Sequence, residues 1–250
     1  VLQWDLAGRT GATSALSRRG LLPWAHRMVA EPGVPTPGVT ETQSLAEVTR
    51  LVRGAIAARD RAGEDWRPVI DGLRPVTHQL WQTLSPREQA RFLRWLGSPW
   101  GVARHRMPAI AAERIFALQE DGRLQIVAGR LLGIARENGA LSITVQPRGA
   151  STPAHMVVDW VVNCTGPQRD PARSDNPLLQ SLLAEGVARR DALLLGLETD
   201  AQDQVIGEDG EPQPGLYALG AIAMGRLYEI VAVPDLRQQC AAVAARIAGG

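Results

Sequence analysis

Two adjacent arginines stand at the tip of a short apolar segment, ALSRRG at 15–20. The small and apolar residues before them predict a strand, and Gly20 predicts a turn directly after it. A serine hydroxyl and two guanidinium groups can form charge-assisted hydrogen bonds with a phosphate dianion. In a nucleotide-binding βαβ unit the second strand ends beside the adenosine ribose, where arginine accommodates the 2′-phosphate of NADP. Ser17, Arg18 and Arg19 are therefore candidates for a phosphate site.

Two other interpretations of Arg18 and Arg19 stay open at this point. The arginines can begin a solvated loop, in which case neither has a specific ligand. They can also hold the loop that follows, which is rich in Pro and Gly and includes EPGVPTPG at 31–38. Their loss would then lower stability rather than cofactor selectivity.

A second candidate is the end of the segment HMVVDWVVNCTG at 155–166. Its continuous apolar run predicts a strand of the kind that is buried in a parallel sheet. After this strand, Gly166 would let a ligand approach the backbone closely, and Thr165 could donate a hydrogen bond. Cys164 is small, and we expect it to pack in the core. A strand that ends in glycine also occurs without any ligand.

A third candidate lies where the apolar segment GLYALGAIAMG at 215–225 leads toward a C-terminal helix. Gly220 and Gly225 predict turns, and Pro234 is typical of the first turn of a helix, which we expect to run to about Ala248. The N-terminus of a helix offers unpaired N–H groups and a positive dipole end, which suit a phosphate or an electron-rich carbonyl. A plain connection between a strand and a helix explains the same pattern equally well.

Helices must hold these candidates in place, and apolar residues recur with helical spacing in five further segments. The predicted helices are 45–62, 66–84, 85–96, 108–119 and 177–185. The second contains an internal proline, which predicts a kink or break. The third opens with Ser85 and Glu88 in the pattern of a capping box. Four tryptophans of this region are expected to pack in a core rather than to line a substrate cavity, namely Trp66, Trp81, Trp95 and Trp100.

After the helical block the hydrophobic period changes from about 3.6 to 2, which predicts a β-meander. The predicted strands are 123–129, 130–139 and 141–148, in addition to 12–17 and 155–166. Asn138-Gly139 is typical of a two-residue hairpin turn. Residues 1–8 predict the end of a helix that stops at Gly8.

The overall composition argues against several classes of function. The chain has 250 residues, a net charge of +1 and 21% charged residues, a balance that does not predict nucleic-acid binding. No apolar run reaches the roughly 18 residues of a membrane span, so we expect no membrane partner. The two cysteines are far apart and the four histidines lack metal-ligand spacing, so we expect no metal site and a reducing, cytoplasmic location. All 27 basic residues are arginine, whose planar fork suits phosphate and carboxylate groups.

Taken together and in this order, three segments resemble the two-dinucleotide-binding-domain flavoproteins. They are ALSRRGLLP at 15–23, DWVVNCTGP at 159–167 and LYALGAIAMGRLYEIVAVPDLRQQ at 216–239. The resemblance is greatest to bacterial FAD/NAD(P)-binding oxidoreductases, distant relatives of the N-hydroxylating and Baeyer–Villiger flavin monooxygenases. It covers most of the chain, and the helical stretch 41–119 is its least diagnostic part. It implies an α/β fold, a partial Rossmann-like NAD(P)/FAD-binding fold with a helical insertion and a β-meander.

The resemblance implies a cofactor role for each matching position in the first two segments. Ser17, Arg18 and Arg19 would contact the adenosine phosphate of NADPH. Thr165 and Gly166 match the stretch in which the chain of the family returns from the NADPH domain to the FAD domain.

The third segment implies contacts with FAD. Gly220 matches the glycine of a late FAD motif, in which the next residue is usually an aspartate that binds the ribityl-phosphate region. Ala221 stands at that position here, so only backbone contacts are expected from this pair. The residues Ala232, Val233 and Pro234 would lie at the flavin ring.

The resemblance implies a FAD-dependent NAD(P)H oxidoreductase that passes hydride from NADPH to flavin and acts on a small-molecule substrate. The electron acceptor stays open between oxygen, as in a monooxygenase, and another acceptor. The glycine-rich GxGxxG turns of the family do not occur in the 250 residues, which predicts the C-terminal portion of a longer protein. The alternative from a different class is a non-catalytic protein that binds a nucleotide as a sensor or scaffold.

The family pattern also predicts how the chain is divided. Residues 1–40 and 120–160 would form a partial NAD(P)-binding domain with the meander. Residues 41–119 would form a helical insertion, and residues 161–250 the C-terminal part of an FAD-binding domain. No catalytic residue is assigned by this pattern.

Overall fold

The computed structural model describes residues 5–8, 11–29, 31–40, 43–137 and 139–249. The chain divides into two compact units. Unit 1 comprises Val1–Pro32 and Trp95–Thr165, and unit 2 comprises Gly33–Arg94 and Gly166–Gly250. Each unit is therefore built from two separate stretches of the chain. Within the described ranges, every helix is too short or too polar to cross a membrane.

Helices and strands both occur in the described residues. The helices are α1 (Leu45–Arg61), α2 (Arg67–Asp71), α3 (Thr77–Thr83), α4 (Pro86–Arg91), α5 (Gly97–Arg104), α6 (Ala109–Glu120), α7 (Pro177–Ala184) and α8 (Val233–Gly249). The strands are β1 (Thr13–Ser17), β2 (Leu124–Glu137), β3 (Ala140–Pro147), β4 (Ala154–Val158), β5 (Gln204–Ile206) and β6 (Pro212–Tyr217). A π-helical turn follows α4 at Phe92–Leu96. The chain is a mixed α/β protein. Among the described α-helices, α5 was not predicted, and each of the others overlaps a predicted helix.

Two capping boxes define the starts of α1 and α4. Ser44 accepts a hydrogen bond from the N–H of Glu47 while the Glu47 carboxylate accepts one from the N–H of Ser44. Ser85 and Glu88 form the same reciprocal pair at the start of α4, as predicted. Glu88 also accepts a hydrogen bond of 3.0 Å from the N–H of Leu45. The second box therefore joins α4 to the first residue of α1.

The proline-containing segment 66–84 is broken into α2, a 3₁₀ turn and α3, as its prolines predict. Trp81 on α3 is 3% exposed. Its ring stacks on Tyr228 with centroids 4.7 Å apart, and Phe92 meets both rings edge-on. The predicted core role is confirmed for Trp81. It is wrong for Trp95, which is 59% exposed in the π-helical turn, because a large apolar ring is buried only where other elements cover it.

Unit 1 contains a four-stranded sheet in the order β1-β2-β3-β4. β1 runs parallel to the first half of β2, and β2, β3 and β4 form the predicted antiparallel meander. The predicted strands 123–129 and 130–139 form one continuous strand, β2, which does not break at Gly129. A bulge between Leu131 and Gly133 instead shifts the register of β2 on β3. Glu137 pairs with Ala140 across the hairpin. Asn138 of the predicted turn lies outside the described residues.

The buried parallel strand predicted at 155–166 is wrong. β4 ends at Val158 and is antiparallel to β3, and residues 159–169 are exposed and form no strand. Trp160 is 77% exposed, and Cys164 is an exposed thiol rather than a core residue. An apolar run is buried in a sheet only where neighbouring strands flank it. None of the described strands pairs with residues 159–169.

The helix end predicted at residues 1–8 is described only from Asp5 onward. Asp5 is helical, and its carbonyl accepts a hydrogen bond of 2.9 Å from the N–H of Gly8, which has a φ of 71°. The Asp5 carboxylate accepts a hydrogen bond of 2.6 Å from Nε of Arg114 and lies 2.8 Å from Nη1 of Arg123. The hydrogen bond from Arg114, with the charge of both arginines, holds the pKa of Asp5 below its usual range.

The C-terminal stretch of unit 2 adds α7, α8 and a small sheet. β5 and β6 are antiparallel. Small and branched residues form a core there, all at most 4% exposed: Ala188, Leu197, Val205, Ala218 and Ala223. Helices α7 and α8 lie where the sequence predicted them, within one residue at their starts.

Candidate functional site

The turn after β1 closes tightly against β2. The hydroxyl oxygen of Ser17 accepts a hydrogen bond of 2.9 Å from the N–H of Gly20. Gly20 has a φ of 63°, and a Cβ there would lie 3.0 Å from the Cβ of Ala128. Glycine is needed at this position for both its conformation and its close approach to β2. The turn leaves Arg18 exposed.

Strand register brings two further arginines to the same end of the sheet. Ser17 pairs with Ala128 at the end of the parallel ladder, so Arg18, the next residue, lies beside the part of β2 that follows Ala128. Arg130 stands two residues beyond Ala128 on β2. The N–H of Arg148, just after β3, donates a hydrogen bond of 2.8 Å to the carbonyl of Ala128. Three segments that are distant in the chain thus meet at one point.

Together these arginines line a surface cavity of about 400 Å³, here named the arginine pocket. Its walls are Arg18, Gly129, Arg130 and the turn 146–151. The side chains of Arg18, Arg130 and Arg148 are exposed, and none of them has a hydrogen bond or ion pair with a residue that the structure describes. The lining contains no carboxylate. Three positive charges therefore meet without a described counter-charge.

Backbone and carboxamide contacts hold the floor of the arginine pocket. Nε2 of Gln146 donates a hydrogen bond of 2.7 Å to the carbonyl of Ala150, which closes the turn that carries Arg148. Gly149 has a φ of 83° in the same turn. A Cβ at Gly129 would lie 2.8 Å from the carbonyl oxygen of Gln146. The main chains pack too closely there for any side chain.

The chemistry of this pocket is that of anion binding. Guanidinium groups form planar, charge-assisted hydrogen bonds with phosphate oxygens, and three of them outweigh the two charges of a phosphate monoester. The described lining offers no carboxylate, imidazole or thiol, and its one hydroxyl, that of Ser151, has no described base beside it. The arginine pocket is suited to holding a phosphate and not to reacting with it.

Arg19, the second arginine of the predicted pair, has a different contact. Its Nη1 donates a hydrogen bond of 3.2 Å to the carbonyl of Trp95, and Arg19 does not line the arginine pocket. Trp95 belongs to the π-helical turn. This contact is expected if Arg19 holds another segment of the chain in place. The segment that it contacts is the π-helical turn and not the Pro-rich loop. A direct phosphate contact of Arg19 stays a prediction.

Thr165 and Gly166 stand at the boundary between the two units. Both are exposed. The N–H and the hydroxyl of Thr165 both donate to Oδ1 of Asn163, at 3.1 and 2.8 Å. Gly166 has a φ of 81° with no non-neighbouring described atom within 4 Å of a Cβ built on it. Their local contacts form an Asn-based turn, and their predicted cofactor contacts stay predictions.

Gly220 and the start of α8 come together in unit 2. The N–H of Gly220 donates a hydrogen bond of 2.9 Å to Oε1 of Gln239. Gly220 has a φ of 74°, and a Cβ there would lie 2.9 Å from Cδ2 of Leu236. The carbonyl of Ala232 accepts hydrogen bonds from the N–H groups of Asp235 and Leu236, both at 3.0 Å. The described contacts of Gly220 are therefore those of packing against α8.

The other residues predicted at the flavin lie on the surface of the same unit. Ala221, Val233 and Pro234 are exposed, Val233 by 68%. The Gly220 N–H is occupied by Gln239, so it is not available as a donor to a phosphate. Flavin contacts of these residues stay predictions.

Sequence reasoning missed Arg130 and Arg148. Each stands alone in its own segment, and an isolated arginine on a strand or in a turn is ordinarily a solvated residue. A signal was nevertheless present, because Arg148 precedes Gly149 at the end of a predicted strand, just as Arg19 precedes Gly20. The parallel pairing of β1 with β2, which unites the arginines, has no local signature.

No group of three or more His, Cys, Asp or Glu residues within the described ranges is arranged to bind a metal ion.

No protein-family model matches the chain, and no curated protein matches it. Among solved structures it is similar to an ornithine N-hydroxylase of Kutzneria sp. 744, in a complex described as FADred-NADP+-L-orn, with 16% identity and a TM-score of 0.49. The match covers 98% of this chain and 50% of that one, so the chain spans about half its length.

Proposed function

We propose that the chain is part of a FAD-dependent NAD(P)H oxidoreductase whose arginine pocket binds the 2′-phosphate of NADPH. The observation that carries the proposal is the meeting of Arg18, Arg130 and Arg148 without a described counter-charge at the end of β1. Arginine at the end of such a strand is the feature that distinguishes NADP from NAD binding in nucleotide-binding α/β folds.

The donor set fits a phosphate monoester better than a carboxylate or a dinucleotide without the 2′-phosphate. A phosphate dianion presents three oxygens, and the three guanidinium forks come from three different segments, so they can approach from different sides. Ser17 does not line the arginine pocket; its hydroxyl oxygen accepts from the N–H of Gly20, which leaves its O–H as a donor next to Arg18. Binding at this pocket would fix the adenosine end of the cofactor and so orient the nicotinamide.

The flavin part of the proposal rests on the sequence pattern of 159–167 and 216–239. When bound, FAD supplies the redox chemistry by accepting hydride from the nicotinamide. Residues 1–40 and 120–160 would belong to the NAD(P)-binding part, 161–250 to the FAD-binding part, and 41–119 to an insertion.

The phosphate assignment is tested by calorimetric titration of the chain with NADP⁺ and with NAD⁺. NADP⁺ should bind more tightly, and Arg130→Gln should weaken NADP⁺ alone by about 10- to 100-fold, the loss of one charge-assisted hydrogen bond of roughly 1.5–3 kcal/mol. Arg136→Gln is the matched control, because Arg136 is an exposed arginine on the same strand and has no described partner. Equal binding of both dinucleotides, or equal losses in both variants, would refute the assignment.

A separate experiment distinguishes an oxidoreductase from a sensor or scaffold. The full-length protein to which we propose that this chain belongs is purified, freed of unbound flavin, and mixed with NADPH without oxygen while the visible flavin band is followed. Loss of the band supports hydride transfer. Binding of NADPH by the full-length protein with an unchanged band, or without bound flavin, argues for nucleotide binding without catalysis.

A further inference from the structure

A second cavity lies entirely within unit 2, and we infer that it binds a small carboxylate. The cavity measures about 310 Å³ and is lined by Gln82, Gln89, Ala201 and Arg226. This volume is near the lower end of the range of about 300–1,000 Å³ typical of ligand pockets. All four residues belong to unit 2 and none to the arginine pocket, so this site stands or fails independently of NADPH binding.

Arg226 is the group that selects the ligand class. Its Nε donates a hydrogen bond of 3.3 Å to Oγ1 of Thr199, and its Nη2 is bound to Oδ1 of Asp203. Only 20% of its side chain is exposed. Two separate partners thus hold the guanidinium in one orientation. A donor that is fixed in advance loses little side-chain entropy when an anion binds.

The charges around Arg226 favour an anion with a single charge. Asp203 is 4% exposed, and its carboxylate faces both Arg226 and Arg246, whose Nη1 lies 3.4 Å from Oδ2. One negative charge therefore meets two positive ones. Among these three side chains the excess is a single positive charge, which matches a monocarboxylate better than a phosphate dianion.

Two carboxamides complete the polar lining. Nε2 of Gln89 donates a hydrogen bond of 2.8 Å to the carbonyl of Trp81, which fixes that side chain. Gln82 is exposed and has no hydrogen bond with a described residue, so its amide is available as a donor to a second carboxylate oxygen. The methyl group of Ala201 offers a small apolar contact. These features suit a carboxylate on a short aliphatic chain.

The ligand class is tested with propionate as the probe, observed by saturation-transfer NMR on the full chain. Propionamide has the same size without the charge and serves as the ligand control. Gln82→Glu places a like charge beside the bound carboxylate, and the repulsion between the two negative charges should weaken propionate binding by about tenfold, which corresponds to about 1.4 kcal/mol. Gln238→Glu, the same change at an exposed position on α8, is the protein control.

Three results would overturn the inference. These are absence of propionate binding to the unaltered chain, equal binding of propionamide and propionate, or equal effects of Gln82→Glu and Gln238→Glu. Arg226→Gln should abolish binding as well, but this change also breaks the contact with Asp203 and can unfold the unit. Gln82 lies on the surface, so its variant is expected to fold and keeps the test decisive.

Discussion

Replacing Gly220 by alanine tests why a glycine follows β6. Gly220 has a φ of 74°, and a Cβ there would lie 2.9 Å from Cδ2 of Leu236. The left-handed conformation costs a non-glycine residue about 1–2 kcal/mol, and overpacking of a close contact costs about 1–3 kcal/mol more. We therefore expect Gly220→Ala to lower the free energy of unfolding by about 2–5 kcal/mol.

Gly215→Ala separates the two contributions. Gly215 has a φ of 77°, in the same unit, and no non-neighbouring described atom lies within 4 Å of a Cβ built on it. This variant should lose only the conformational part, about 1–2 kcal/mol. Any gain from a stiffer unfolded chain is common to both variants and cancels in their difference.

Urea unfolding followed by tryptophan fluorescence measures both values. In a Leu236→Ala background, Gly220→Ala should lower the free energy of unfolding only by the conformational part, since the methyl group that meets the new Cβ is absent there. If Gly220→Ala and Gly215→Ala lower the free energy of unfolding equally, α8 does not press on Gly220. The packing explanation would then be refuted, and close approach of a ligand would become the better reason for the glycine.

Three further predictions concern single side chains. Ser85→Ala should lower the free energy of unfolding by about 1 kcal/mol in the same urea assay, because Ser85 accepts from the N–H of Glu88; an unchanged value would contradict the capping role. Burial raises the pKa of Asp191 above 3.8. The protonated carboxyl therefore stabilises the folded protein fully below the unfolded pKa, and this stability is lost as pH rises through the folded pKa. Asp191→Asn should remove this step from the pH profile of unfolding, and a profile that keeps it would contradict the assignment. Burial raises the pKa of Tyr228 to about 12, so an alkaline absorbance titration should show a late tyrosinate component that is missing from Tyr228→Phe.

Local sequence signals were sufficient where neighbouring residues decide an element. Ser85 and Glu88 stand three residues apart, and their side chains complete the helix start without help from other parts of the chain. The prolines of 66–84 break the helix wherever the segment packs. Such features depend on the backbone of a few adjacent residues, so they are visible in the sequence.

Burial was not visible in the same way. The apolar run at 159–164 predicts a core strand, yet Trp160 is 77% exposed and Cys164 is exposed. Hydrophobicity favours burial only where other elements supply a surface to cover it. Whether such a surface exists depends on the arrangement of distant segments, which the run itself does not encode.

The candidate site was predicted in part for the same reason. Arg18 was found because it directly follows a strand and stands two residues before a glycine. Arg130 and Arg148 reach it only through the pairing of β1 with β2 and of β2 with β3. Strand pairs that are far apart in the chain have no local pattern, so a charge cluster assembled by them emerges only in the folded protein.

Glycines alone do not identify a cofactor site in this chain. A glycine is needed for a left-handed φ, for the close approach of a ligand, or for the close approach of another part of the protein. At Gly20 the first and third reasons suffice, because φ is 63° and Ala128 lies against it. The same holds at Gly220, where α8 supplies both Leu236 and an acceptor for the N–H. Charged side chains without a described partner, as at Arg18, lack such an internal explanation. Arginine variants therefore test the proposed function, whereas glycine variants test the fold.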